Sequence, residues 1–373
     1  MIERDPCEDL VVGLDVGTTK VAAVAGLARP GGVQVLAAAT EPCEGTNGDE
    51  VVSVLETAAA MHQVVADLEA LCRRRICSVH LGVGGSHVRT DLVRWSAPPA
   101  PAPASDGSIE TEAYADAVEQ GRLVLHAWPA GAPSGGPAGH VRLLSASTPY
   151  VHGLVRCAVW AGLDVADIVL GALATAEAVL GPEERQAGVA VVDIGGAATE
   201  IAVFAGKFVH VEAIALGAQH VTARLAELLD APATEAERVK LGYSVGAFDD
   251  CVAAWNRRGE QRSVPRRVLG AAIDGGMGEL LHAVKQRLAA QGLLSRLGSG
   301  VVLAGAGAMI DGMAACAAAI LGRPARLGDP AISSPARQSD TYLCHPKYAT
   351  ALGLVHLAAL RTAHWDGALA LSA

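Results

Sequence analysis

Two short segments of this 373-residue chain carry residue types that could hold a phosphate chain and its metal ion. The first, Val11-Val-Gly-Leu-Asp-Val-Gly-Thr-Thr-Lys-Val-Ala-Ala-Val-Ala-Gly26, places Asp15 at the end of an apolar run and follows it with Gly17, Thr18, Thr19 and Lys20. Glycine lets backbone N–H groups approach an anion, hydroxyls and ammonium donate to phosphate oxygens, and the carboxylate orients hydrated Mg²⁺. The second, Val191-Val-Asp-Ile-Gly-Gly-Ala-Ala-Thr-Glu-Ile-Ala-Val-Phe-Ala-Gly206, repeats the plan with Asp193, Gly195, Gly196 and Thr199. A single turn of this kind is also an ordinary hairpin turn. Two in one chain, each with its aspartate, are read as a clamp for Mg·ATP, with Asp15 and Asp193 converging on one cation through water. A third piece, Val301-Val-Leu-Ala-Gly-Ala-Gly-Ala308, offers Gly305, Ala306 and Gly307 at a strand-to-helix turn, small enough for the backbone to lie against an adenine or ribose.

The elements that must position these residues follow from the same segments. Each repeat reads as apolar strand, glycine turn and apolar strand, so a β-hairpin is expected twice. Between them, Val51 to Leu71 is helix-like and Ser78 to Val83 strand-like. Ser96 to Ala104 and Pro129 to Gly139 are rich in Pro or Gly and are expected to lack regular structure. Thr111 to Gly121 between them has Tyr114, Ala117 and Val118 on one helical stripe, which suggests a small, loosely tethered subdomain. Val221, Leu225, Leu228 and Leu229 mark an amphipathic helix, and Thr234-Glu-Ala-Glu237 has a capping-box pattern opening another that stops near Gly242. A long apolar face from Val268 to Leu288 predicts a helix that Gly275-Gly276 interrupts or kinks.

Composition narrows the function classes. The length favours a bilobed fold, and 51% hydrophobic residues with only 3% aromatic predict a core of small side chains. With 29 Lys+Arg against 39 Asp+Glu, the net charge of −10 argues against nucleic acid or an anionic membrane surface as default partners. The cysteines at 7, 43, 72, 77, 157, 251, 316 and 344 form no C-x-x-C pair and read as reduced thiols of a cytoplasmic protein. Met1-Ile-Glu-Arg-Asp-Pro is not expected to act as a signal peptide, and Val301 to Gly322, broken by Asp311 and three glycines, is not expected to span a membrane. Ser86 and His87 are not read as a nucleophile–base pair, and Arg73-Arg-Arg75 is read as a solvated helix end.

Gly13-Leu-Asp-Val-Gly-Thr-Thr-Lys20, Leu81-Gly-Val-Gly-Gly-Ser-His87, Ala161-Gly-Leu-Asp-Val165, Leu173-Ala-Thr-Ala176, Val192-Asp-Ile-Gly-Gly196, Ala236-Glu-Arg-Val-Lys240, Leu303-Ala-Gly-Ala-Gly-Ala308 and Tyr348-Ala-Thr-Ala-Leu-Gly-Leu354 occur in the order expected of the bacterial cell-division FtsA family, which the chain resembles over nearly its whole length. The resemblance implies an α/β, actin-like bilobed fold of duplicated ribonuclease-H-like domains. It implies a protein that binds ATP with Mg²⁺, self-associates into filaments, receives the tail of the tubulin-like FtsZ and recruits other division proteins. Residues 1–85 and 146–188 would form the first lobe, 86–145 a shortened inserted subdomain, and 189–373 the second lobe with an insertion near 243–299. Gly217, Glu237 and Lys240 would border the nucleotide.

The departures from the family are equally specific. Ala197 and Ala198 stand where the family usually has Gly and Thr, and Glu200 where it has Asp, so hydrolysis is expected to be weak or absent. Ala304 and Ala306 replace Thr and Gly, and Gly275-Gly276 replaces a Pro-Arg pair in the region that receives the FtsZ tail. Val355 to Ala373 is not expected to provide the usual basic amphipathic membrane helix, so any place at the membrane would depend on partners. A pilus-assembly actin homologue of the PilM type and a small-molecule kinase of the same superfamily are the competing readings.

Overall fold

The computed structural model describes residues 10–29, 32–94, 117–130, 140–245, 250–330 and 345–363. Strands β1 (Leu10–Val16), β2 (Lys20–Arg29) and β3 (Gly32–Pro42) form an antiparallel meander. Helix α1 (Val54–Cys72) then crosses to β4 (Ser78–Val83), parallel to β1, and α2 (Thr148–Trp160) leads into β8 (Asp164–Leu170), parallel to β4. The sheet order is β3-β2-β1-β4-β8. The second half repeats it. A meander of β9 (Val189–Ile194), β10 (Thr199–Ala205) and β11 (Phe208–Ile214) is followed by β14 (Val301–Ala304) and β15 (Ala325–Leu327), both parallel to β9, in the order β11-β10-β9-β14-β15. Both expected hairpins are present. Their third strands, which close the meanders, were not foreseen.

Helices cover the sheets because the central strands are apolar on both faces. Val21, Ala22, Ala23, Val24 and Ala25 of β2 are all buried, as are Val189 to Val192 of β9, so no face of either strand is left to water. Helices α3 (Gly171–Val179) and α4 (Pro182–Ala187) connect the halves. In the second half, α5 (Gln219–Leu229), α6 (Ala233–Leu241), α7 (Arg266–Ala290) and α8 (Met313–Leu321) pack around Leu225, Leu269, Ile273, Leu280 and Val284, and a separate hairpin of β12 (Cys251–Trp255) and β13 (Gln261–Pro265) precedes α7. The last helix, α9 (Ala349–Ala363), returns to the first sheet, with Ala351, Leu352 and Val355 in its core. The expected division, which assigned all of 189–373 to the second lobe, therefore does not hold for this helix. Its Ala-rich face fits the first sheet closely enough that a Cβ on Gly13 of β1 would lie 2.2 Å from the carbonyl oxygen of Ala351.

Four further expectations are corrected. Helix α7 runs unbroken through Gly275-Gly276; a Cβ on Gly276 would meet Val221 Cγ2 at 3.0 Å and Arg224 Cδ at 3.2 Å, so the pair makes a helix crossing rather than a break. Helix α6 begins at Ala233 after Pro232, and Glu237 makes no capping box. It does stop at Gly242. Residues 86–145 contribute a three-stranded sheet of β5 (Arg89–Arg94), β7 (His140–Ser147) and β6 (Arg122–Ala130), with Pro129 and Ala130 paired at its edge. Tyr114 and the run 96–104 lie outside the described residues.

This small sheet is docked, not loosely tethered. Strand β11 is an edge strand whose outward N–H and C=O would otherwise be unpaired. The Thr90 hydroxyl accepts the N–H of Val211 at 3.0 Å and donates to its C=O at 2.5 Å. Arg142, buried, lies 4.6 Å from the centroid of the Phe208 ring, which Arg296 also faces at 4.6 Å.

Candidate nucleotide site between the two hairpins

Hydrogen-bond register fixes where the site residues emerge. Asp15 pairs with Ala22 and Val16 with Val21, leaving Gly17 to Thr19 as a turn closed by the Gly17 N–H on the Lys20 carbonyl at 2.9 Å. In the second hairpin Asp193 pairs with Glu200 and Ile194 with Thr199, and the Gly195 N–H bonds the Ala198 carbonyl at 3.0 Å. The two turns touch: Thr18 Oγ1 accepts the Ala197 N–H at 3.1 Å, and a Cβ on Gly196 would lie 2.6 Å from the same hydroxyl. Behind the second turn, the N–H groups of Ala218 and Gln219 bond the carbonyls of Gly195 and Gly196, both at 2.9 Å. Gly217 permits that backing, since its Cβ would fall 2.3 Å from the Gly196 oxygen.

Three carboxylates gather beneath the turns. Burial pushes the Asp15 carboxyl up to about 6; Lys20 opposes the shift and Asp193 adds to it. Burial raises Asp193 as well, against hydroxyls from Thr175 at 2.6 Å and Thr350 at 3.3 Å and the charge of Lys20. Glu200 is pushed up to about 8, chiefly by burial and then by Asp193, with Asp15 contributing and the N–H groups of Gly85 and Ala172 opposing. Lys20 is lowered by burial and held up by Asp15 and Asp193; its ammonium donates to the Lys347 carbonyl at 2.9 Å. The structure therefore brings Asp15, Thr18, Lys20, Asp193, Gly195 and Gly196 together. Gly305 joins them, at φ +78°, and a Cβ there would lie 2.3 Å from Asp193 Oδ1. A short 3₁₀ turn, Ala306–Met309, continues from it, with Gly307 packed on Ile194.

Other expected residues are differently placed. Thr199 is buried and donates to the Leu216 carbonyl at 2.7 Å, which fixes the strand and takes its hydroxyl out of the cleft. Lys240, also buried, pairs with Glu237 at 2.7 Å and donates to Thr222 Oγ1 at 2.9 Å and the Ala218 carbonyl at 3.3 Å. The Thr222 hydroxyl in turn donates to Glu237 at 2.5 Å. Ser86 and His87 lie in a turn rather than a strand, Ser86 bonding Asp49 and His87 Nδ1 accepting the Ser147 N–H at 3.2 Å. Sequence reasoning missed Thr175, Thr350 and the role of Glu200. The available signal was a threonine set between alanines in each of two helices, Leu173-Ala-Thr-Ala176 and Ala349-Thr-Ala351.

Comparison with known proteins places this geometry. Residues 190–353 match the family described as Cell division protein FtsA. FtsA of Escherichia coli (strain K12) is 28% identical over 379 aligned residues, covering 93% of this chain and 90% of that one. FtsA of Pseudomonas aeruginosa is 27% identical, covering 93% and 88%. Among solved structures, the PilM-PilN type IV pilus biogenesis complex aligns with a TM-score of 0.70 at 17% identity, covering 94% of this chain and 98% of that one. MreB5 of Spiroplasma citri bound to ADP aligns with a TM-score of 0.59 at 11% identity, covering 97% and 100%. The chain has the actin-like fold.

Proposed function

We propose that this FtsA-like chain is a nucleotide-binding scaffold of bacterial cell division that takes Mg·ATP between the turns of its two hairpins. The observation that carries the reading is the meeting of those turns at Thr18 and Ala197, which lets donors from both halves reach one anion. Two features fit that ligand. The amides of Thr18, Thr19, Gly196 and Ala198 make no hydrogen bond among the described residues, and unpaired turn amides of this kind are the usual phosphate cradle. Burial holds Asp15, Asp193 and Glu200 towards their neutral forms, with Lys20 beside the two aspartates, and a divalent cation would favour their return to carboxylates. Among the described residues no three acidic, His or Cys side chains are grouped to hold a metal directly, which suits a cation held through water and phosphate oxygens.

Bound there, the phosphates and their cation would supply the charge that ties the two halves together. Asp15 and Asp193 would orient the cation's water, Lys20 would face the phosphates, and Gly305 to Gly307 would lie beside the nucleoside. Glu237 and Lys240 are engaged with each other and with Thr222, so their part is to brace the helix backing the second turn. Titration calorimetry of the intact protein tests the reading. Mg²⁺-dependent ATP binding is expected, with Asp15→Asn removing its metal-dependent part. No binding by the wild type would overturn the proposal.

Turnover is expected to lie at least about 100-fold below the ~10 s⁻¹ typical of enzymes, because Ala198 offers a methyl where a hydroxyl could donate to phosphate. Ala198→Thr should leave affinity nearly unchanged and raise phosphate release about tenfold. A brisk wild-type ATPase would contradict this.

The cell-division reading rests on likeness to FtsA over nearly the whole chain. The likeness to the PilM complex, at 17% identity, speaks for the fold alone. An acidic-apolar tail of the tubulin-like division protein would meet α7, whose first turn exposes Arg267 and holds Arg266 over the Tyr243 ring at 5.7 Å. Further along α7, Lys285 donates to the Ile320 carbonyl at 2.6 Å and so is engaged within the fold. Charge reversal at Arg266 and Arg267 should weaken tail-peptide binding about tenfold in fluorescence anisotropy and leave ATP binding intact. None of the described helices is long and apolar enough to cross a membrane, and we assign any midcell membrane location, and assembly into filaments, to contacts with partners and further copies.

A further inference from the structure

We propose that Glu200 is a latch between the two halves: its carboxyl group, carried on β10 of the second sheet, closes the cleft by accepting the Gly85 N–H of the first half and thereby sets how fast nucleotide enters and leaves. The gating part rests on the nucleotide reading above; the latch itself does not. Glu200 Oε1 accepts the Gly85 N–H at 2.7 Å, a contact spanning 115 residues of sequence. The N–H of Ala172, in the first turn of the nine-residue helix α3, also acts on this carboxyl and favours its ionised form against burial, as the unpaired amides and dipole of a helix N-terminus do.

The first half is shaped around this group. A Cβ on Gly84 would lie 1.9 Å from Oε1, and one on Gly171 would lie 3.5 Å from Oε2. Gly84 thus leaves room for the carboxyl that a side chain would fill, at the place where the first half meets β10. Among the described residues no cationic side chain pairs with the Glu200 carboxyl. Burial, Asp193, its cross-strand neighbour, and Asp15 all disfavour its ionised form, so the contact across the cleft is made without a strong charge to hold it and forms a catch that can be released. Reach is the critical property. Aspartate keeps the charge but is one methylene shorter and cannot span to the Gly85 N–H from the same backbone.

Hydrogen–deuterium exchange of the nucleotide-free full chain tests the latch, comparing wild type with Glu200→Asp, Glu200→Gln and Glu200→Ala. Peptides covering residues 82–88 and 169–175 are expected to exchange about tenfold faster in the Asp and Ala variants, with Gln between them and wild type because its amide oxygen can still accept one N–H. The same order is expected for the release rate of a fluorescent ATP analogue in stopped-flow mixing. Circular dichroism confirms that each variant is folded; Glu200→Gln, nearly isosteric, covers the case in which the shorter variants fail. If Glu200→Asp exchanges like wild type at these amides, the latch is overturned. If wild type takes up no analogue, the nucleotide reading and the gating claim fall, while amide exchange still judges the latch.

Discussion

Gly305→Val is expected to lower the affinity for Mg·ATP by more than about 100-fold, a loss near 3 kcal/mol. Two effects act at one backbone position. The φ of +78° is one that a β-branched residue adopts only at a cost of about 1–3 kcal/mol. The added Cβ would fall 2.3 Å from Asp193 Oδ1 and 2.6 Å from the Ile194 carbonyl, so relief must move either the turn or the end of β9. Moving β9 displaces the carboxylate from its Thr175 hydroxyl; moving the turn pushes it into the space assigned to the nucleoside. Calorimetry on the folded variant reads the affinity, and a thermal melt reads the strain. Gly305→Ala should show the same directions at smaller amplitude. Binding by the valine variant at wild-type strength would remove this turn from the site.

The parts of this molecule legible in its sequence are those written in local pattern. Both hairpins were legible because an apolar run ending in Asp and then Gly is punctuation that few other structures use. Strand β4 could be bounded at Ser78 and Val83, and the apolar stripe of α7 marks its buried face apart from Val268, which is exposed. What was not legible depends on partners distant in the chain. Gly275-Gly276 looks like a helix break until Val221 and Arg224 are placed against it. Glu200 looks like a lengthened aspartate until Gly85, 115 residues away, is seen to receive it. Lys240 and Glu237, three residues apart, were assigned to a ligand, whereas the ammonium and carboxylate neutralise each other against Thr222. The docking of the insert uses the Thr90 hydroxyl together with Arg142, and nothing in Arg89-Thr-Asp-Leu-Val-Arg94 marks Thr90 over its neighbours.

The largest effect on stability is expected from Gly353→Ala, a change that touches neither turn. Helices α3 and α9 cross so closely at this residue that a Cβ would lie 1.7 Å from the carbonyl oxygen of Ala174 and 2.4 Å from its carbonyl carbon. Both obstacles are backbone, so no rotamer relieves them and the helices must separate. Over-packing of this kind costs about 1–3 kcal/mol where side chains can yield and more where they cannot. Separation also breaks the site's support, because Thr175 on α3 donates to Asp193 at 2.6 Å, and the single proton of Thr350 on α9 is shared between Thr175 Oγ1 at 2.9 Å and Asp193 at 3.3 Å. A buried carboxylate that loses its hydroxyl donors is left with its desolvation cost uncompensated, about 1–3 kcal/mol or more. The variant should therefore melt several degrees lower and also bind Mg·ATP more weakly. Thr350→Val, which removes the longer hydroxyl bond and leaves the helix crossing intact, should weaken nucleotide binding with a much smaller change in melting temperature. Equal melting temperatures for Gly353→Ala and wild type would show that α9 does not hold the first sheet in the way its packing requires.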